Sequence, residues 1–131
     1  MTPAGMRVLL AVEPVDMRRS FGGLSLWVKT HLGIEANTRG TMYVFVNRRR
    51  DMAKVLWRDE TGWCLLSKRL DEREVALPAD IPEGASSITV DSRTLAALLD
   101  GIVRRRSDTA KSIARAARFA VENARNSAAF V

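Results

Sequence analysis

The chain has 131 residues, enough for one domain with a single modest core, and 47% of it is hydrophobic against 27% charged. Its formal net charge of +6 points to an anionic partner, nucleic acid ahead of a membrane surface. The single cysteine, Cys64, excludes an internal disulfide and a cysteine-rich zinc site, and no apolar run nears the ~20 residues that cross a bilayer, so a soluble cytoplasmic protein is expected.

In chain order, residues 7–12 (RVLLAV) read as a short buried strand that Pro14 ends. Asp16 and Ser20 both offer a helix N-cap. Phe21, Leu24, Val28 and Leu32 follow at spacings of three and four, so they line one face of a helix that Gly33 stops. Residues 41–46 are rich in β-branched and aromatic side chains, residues 52–58 and 63–70 read as the next two strands, and polar turns at 47–51 and 59–62 separate the three. They predict an antiparallel meander, to which residues 74–77 could add a strand. Pro78, Pro82 and Gly84 mark a loop, and residues 88–90 a brief extended piece. Asp91 or Ser92 then caps a second helix whose Leu95, Leu98, Leu99 and Ile102 share a face. Residues 104–110 are a polar joint. From Lys111 the pattern is helical, with Ile113, Ala117, Ala120, Val121 and Ala124 opposite Lys111, Arg115, Arg118, Glu122 and Arg125.

The expected fold is α+β. An antiparallel β-meander of three to five strands packs with an N-terminal helix, and a C-terminal helix at 92–103 closes one end of the sheet. Residues 1–103 form the domain, and residues 104–131 a basic helical tail with room for partial disorder. The core is expected where Phe21, Leu24 and Val28 meet Val44, Val55 and Leu65.

Charge is segregated along the chain. Residues 41–70 carry a net +4, residues 71–103 a net −5 and residues 104–131 a net +5. Arg48, Arg49 and Arg50 fall together in the first polar turn, away from any core. A guanidinium is a rigid planar fork that fits phosphate oxygens, and each phosphate so neutralised releases counterions. Lys54 and Arg58 stand four residues apart on the next strand and share a face, which predicts a basic strip running down from the turn. Arg18 and Arg19 could join an anion site at the start of the first helix. Lys68 and Arg69 end the third strand and point to opposite faces, and they could extend that strip. The competing reading is a turn kept soluble by charge and guarded against edge-to-edge aggregation. Three arginines at one tip exceed that need.

Catalysis is not expected. Asp16, Asp51 and Asp59 are the carboxylates a two-metal site would draw on, yet each sits where a cap, an ion-pair partner or a turn residue belongs. His31 suits packing or solvent, and Cys64, in an apolar strand with no basic neighbour in sequence, suits burial. Neither a cofactor nor a metal is implied.

Three motifs in order carry a family resemblance. They are Pro14-Val15-Asp16-Met17-Arg18-Arg19-Ser20-Phe21-Gly22-Gly23-Leu24, then Val44-Phe45-Val46-Asn47-Arg48-Arg49-Arg50-Asp51 with Lys54-Val55-Leu56-Trp57, then Asp59-Glu60-Thr61-Gly62-Trp63-Cys64-Leu65 running to Lys68-Arg69-Leu70. Together with Leu95-Ala96-Ala97-Leu98-Leu99-Asp100-Gly101 they resemble the TnpB accessory proteins, products of the second reading frame of the IS sixty-six family of bacterial insertion sequences. Position 22 departs from that pattern, with Gly where Asp is expected. The resemblance implies participation in transposition beside a transposase and a second small accessory protein. Combined with the arginine turn, it suggests a non-catalytic subunit that binds double-stranded DNA at the element ends. The alternative is a protein–protein adaptor that docks on the transposase without touching DNA. Homo-oligomerisation is open, and no membrane partner is expected.

Overall fold

The computed structural model describes residues 5–37 and 39–103. The chain runs β1 (Arg7–Ala11), α1 (Phe21–Leu32), β2 (Thr41–Val46), β3 (Met52–Arg58), β4 (Trp63–Arg69), β5 (Arg73–Glu74), β6 (Ser87–Val90), α2 (Ser92–Asp100) and β7 (Ile102–Val103). Five strands form one sheet in the order β4-β3-β2-β1-β6, and β5 pairs with β7 in a small second sheet. The mixed α+β content and the β2-β3-β4 meander match the sequence reading.

The sheet is not wholly antiparallel, however. β1 runs parallel to β2, with Arg7 opposite Thr41 and Leu10 opposite Val44. The link between them contains α1, the crossover that a parallel pair requires. β6 then closes on the other side of β1 in antiparallel register. The strand expected at 74–77 is shortened to Arg73–Glu74 and pairs with Ile102–Val103, outside the main sheet.

Both faces of the sheet are covered, and the alternation of side chains along each strand decides which residue goes where. Leu9, Ala11, Tyr43, Phe45 and Leu56 form one buried cluster with Leu24, Trp27 and Val28 of α1. Val8, Leu10, Met42, Val44, Val46, Ala53 and Val55 form the other, with Leu95 and Leu98 of α2. Val44 and Val55 therefore lie on the face away from α1, contrary to the expected core, whereas Leu65 does pack on the α1 side. Phe21 is exposed at the first position of α1, and Trp27 takes the buried place instead. Leu24, Trp27 and Val28 contribute roughly 1.5–3 kcal/mol each by leaving water. Their helix needs that help, because its first turn carries Gly22 and Gly23.

α1 starts at Ser20, whose side chain makes no capping bond, and stops at Gly33 with φ of 68°. In α2 the Asp91 carboxylate accepts from the Thr94 N–H at 2.7 Å. Gly101 ends that helix, so Ile102 belongs to β7 and is exposed. Instead of closing an end of the sheet over 92–103, α2 shares the second core cluster. No helix among the described residues is long and apolar enough to cross a membrane. The basic helical tail expected over 104–131 lies outside the described residues.

Candidate nucleic-acid interface

The five-residue link between β2 and β3 is built by Asn47. Its backbone carbonyl accepts from the Arg50 N–H at 3.0 Å, closing a β-turn, and its N–H donates to the Met52 carbonyl at 3.1 Å. Its side-chain oxygen accepts from both the Asp51 and Met52 N–H groups at 3.1 Å, while its amide nitrogen donates to the Asp51 carboxylate. Arg50 sits in the left-handed region at φ of 60°, where a non-glycine residue is strained. Neighbouring backbone holds it there, since its carbonyl accepts from the Val75 N–H at 2.6 Å and that of Asp51 from the Leu70 N–H at 2.7 Å. The turn backbone is thus fixed from both sides. The side chains of Arg48, Arg49 and Arg50 are exposed and make no hydrogen bond or ion pair among the described residues.

A second basic stretch arrives at the same end of the sheet. The Val15 N–H donates to the Val46 carbonyl at 3.0 Å, which lays the approach to α1 along the residue before the turn. Lys54 then ties that approach to β3. It faces Phe45 across the ladder, on the α1 side, and its Nζ donates to the Arg19 carbonyl at 2.7 Å. With 9% of its surface exposed, Lys54 is the one buried charged residue among those described. The sequence suggests an exposed contact strip for Lys54; the structure places it beneath the surface, where it anchors the Arg19 backbone.

Those two arginines differ. Arg18 grips the Asp16 carboxylate through Nε at 3.0 Å and Nη2 at 2.7 Å, and this pairing holds the Asp16 carboxyl down at about 2. Arg19 folds back along the helix, its Nη1 donating to the Gly23 carbonyl at 3.4 Å. A Cβ on Gly23 would stand 3.2 Å from the Arg19 Cβ, so glycine makes room for that stem. A Cβ on Gly22 would meet nothing within 4 Å, so the acid expected at this position would have fitted, and α1 has no acidic residue in its first turn.

Arg58 does not join this group. It pairs with Trp63 at the far end of β3, its guanidinium 5.5 Å from the ring centroid. At ~3.3 Å per residue it stands about 20 Å from Met52. The expected strip is therefore interrupted, by burial at Lys54 and by distance at Arg58. Lys68 and Arg69, which the sequence reading sets in the same basic strip, do reach the turn end, opposite Ala53 and Met52. Asp71 and Glu72 follow β4 at this end but make no ion pair with the turn arginines.

The three carboxylates weighed for catalysis are occupied locally. Asp16 binds Arg18, Asp51 binds Asn47, and Asp59 accepts from Thr61 and Gly62 at 2.9 Å, which lowers its pKa. Among the described residues no group of three or more His, Cys, Asp or Glu is placed to hold a metal ion. His31 stacks on Trp27 with ring centroids 4.3 Å apart. Cys64 is half-buried instead of buried, its thiol pushed up by desolvation and by Asp59.

A family model described as "IS66 Orf2 like protein" matches residues 6–109. The chain is 36% identical over 104 residues to the uncharacterized protein y4hO of Sinorhizobium fredii, a match spanning 78% of this chain and 87% of the relative. It is 29% identical over 91 residues to the uncharacterized protein y4jC of the same organism, spanning 70% of this chain and 76% of that one. No solved structure matches. The chain belongs to the IS66 Orf2-like family, accessory proteins of insertion-sequence transposition.

Proposed function

We propose that this accessory protein of IS66 transposition is non-catalytic and binds double-stranded DNA through backbone phosphates at the arginine-turn end of its sheet. Arg48, Arg49 and Arg50 make the contacts, and Arg18, Arg19 and Arg69 extend the positive surface around them. One observation carries the reading: three adjacent guanidinium groups stand exposed on a backbone that Asn47, Leu70 and Val75 hold in place, without partners among the described residues. A fixed backbone lowers the entropy lost when a polyanion docks, and free forks offer bidentate phosphate contacts. Reading of base edges is not part of the proposal, since phosphate contacts position a protein without specifying sequence.

The test is fluorescence anisotropy of a labelled element-end duplex and a scrambled duplex across a salt series. With Arg48, Arg49 and Arg50 changed to Ala, the log–log salt slope should flatten by about 2–3, near 0.9 for each phosphate no longer neutralised. The far-UV spectrum should stay unchanged. A folded triple variant with wild-type affinity sinks the site. If the wild type binds neither duplex at low salt, the arginines serve an adaptor docked on an acidic protein surface, with the transposase as the next ligand.

A further inference from the structure

β4 is an outer strand of the sheet among the described residues. Its ladder with β3 is regular from the Met52–Arg69 pair to the Arg58–Trp63 pair, with no bulge. Hydrogen bonds at both ends fix the phase: the Leu70 N–H donates to the Asp51 carbonyl, and the Asp59 N–H to the Gly62 carbonyl at 2.9 Å. Bonded and unbonded pairs alternate in an antiparallel ladder. Cys64, Leu66 and Lys68 therefore bond inward to β3, and Trp63, Leu65, Ser67 and Arg69 turn their N–H and C=O groups outward. Protein sheets blunt such edges with proline, a bulge or an inward-pointing charge. β4 has neither proline nor bulge, and its charges are confined to one end. Leu66, at the middle of the strand, is 42% exposed.

The strand is also complementary to itself. Lys68 and Arg69 lie at one end, Asp59 and Glu60 in the turn at the other. Two copies laid antiparallel place their Lys68–Arg69 pairs at opposite ends of the seam, whereas two laid parallel set these like charges side by side. We propose that β4 pairs with β4 of a second copy about a two-fold axis through Leu66, joining the two five-stranded sheets into one. In that register Arg69 faces Trp63 of the other copy, Ser67 faces Leu65, and the two Leu66 side chains cover each other. The outward groups of all four outward-facing residues are then bonded. Arg69 meets an indole that Arg58 already approaches within the chain. Such an interface is isologous, so it closes at the dimer. The inference is independent of DNA binding, and the dimer would carry two arginine turns.

The experiment uses the full chain. Light scattering behind size exclusion should give wild type twice the mass of the chain at micromolar concentration. Ser67→Pro removes an N–H that does not bond to β3, a substitution an edge strand tolerates, and should give the mass of one chain with an unchanged far-UV spectrum. Leu66→Cys in a Cys64→Ser background should oxidise to a disulfide-linked dimer as the major species, because the facing residues are an unbonded pair ~4.5 Å apart at Cα. Leu26→Cys in the same background, exposed on α1, should stay monomeric on the same non-reducing gel. A folded monomeric wild type overturns the proposal, and so does a dimer that survives Ser67→Pro and leaves the Leu66→Cys variant without a disulfide link.

Discussion

The two turns of the meander use one device to opposite ends. At 47–51 the Asn47 side-chain oxygen accepts from the Asp51 and Met52 N–H groups; at 59–62 the Asp59 carboxylate accepts from the Thr61 and Gly62 N–H groups. Each gives the backbone a local acceptor and fixes the strand register. The first staple is uncharged, and its turn displays three arginines. The second is anionic, its turn adds Glu60, and the nearby Arg58 is taken up by Trp63. The staple builds the turn whatever the residues between; the displayed charge is a separate choice, and in this domain the two turns place it at opposite ends of β3.

The largest way to disturb the contrast is to remove the tie beneath the first turn. Lys54→Ala leaves the Arg19 carbonyl unpaired and strips a packed stem, which should cost about 2 kcal/mol, on the order of 5–10 °C in Tm by thermal melt. The salt slope of DNA binding should change by less than the ~0.9 of one phosphate contact, since the buried Lys54 amine is bonded to the Arg19 carbonyl. Arg50→Gly sharpens the contrast further by separating stability from binding. Relief of the left-handed conformation at φ of 60° should raise stability, by about 1 kcal/mol in denaturant unfolding, while the salt slope falls by ~0.9.

The smallest effect is a pH dependence beside the turn. Asp16 has its folded-state pKa lowered from 3.8 to about 2 by Arg18. A lowered carboxyl stabilises the fold above its unfolded pKa, and that stabilisation is lost as pH falls through the folded one. Chemical denaturation should therefore show an Asp16 contribution that is flat down to about pH 5 and declines toward pH 2. Asp16→Asn should remove that part of the decline. The group is exposed, so the change is slight.

Much of the fold was legible in the sequence because its signals are local. Asp91, Gly33 and the two Asx turns announce themselves by residue type, β2 by its β-branched and aromatic content, and β3 and β4 as apolar runs between those turns. The assignment of faces was less legible. Thr41–Val46 is apolar at nearly every position because both its faces are covered, so no alternation shows which residues meet α1. The parallel pairing of β1 with β2 depends on packing across α1, which no local pattern encodes. Lys54 misled for a different reason. A lysine in a strand suggests solvent, yet its stem can lie in a core while its amine finds a carbonyl. Its place two residues from Leu56, on the same face, was the one sign of burial. Of the candidate site, Arg48, Arg49 and Arg50 were found from composition and turn position alone. Arg18, Arg19 and Arg69 were named from sequence too, but the contacts that bring them to the turn end of the sheet needed the fold.

If the arginine turn is the contact, the position of the charge matters more than its total. Arg7, Arg39 and Arg58 are arginines at the other end of the sheet, on or beside β1, β2 and β3. Changing these three to Ala removes the same charge as changing Arg48, Arg49 and Arg50. Salt-dependent anisotropy of the two triple variants on one duplex compares them directly. The slope should flatten by about 2–3 for the turn variant and by less than ~1 for the other. Equal losses in both would mean that DNA responds to net charge alone, and would contradict the arginine turn as the site of contact.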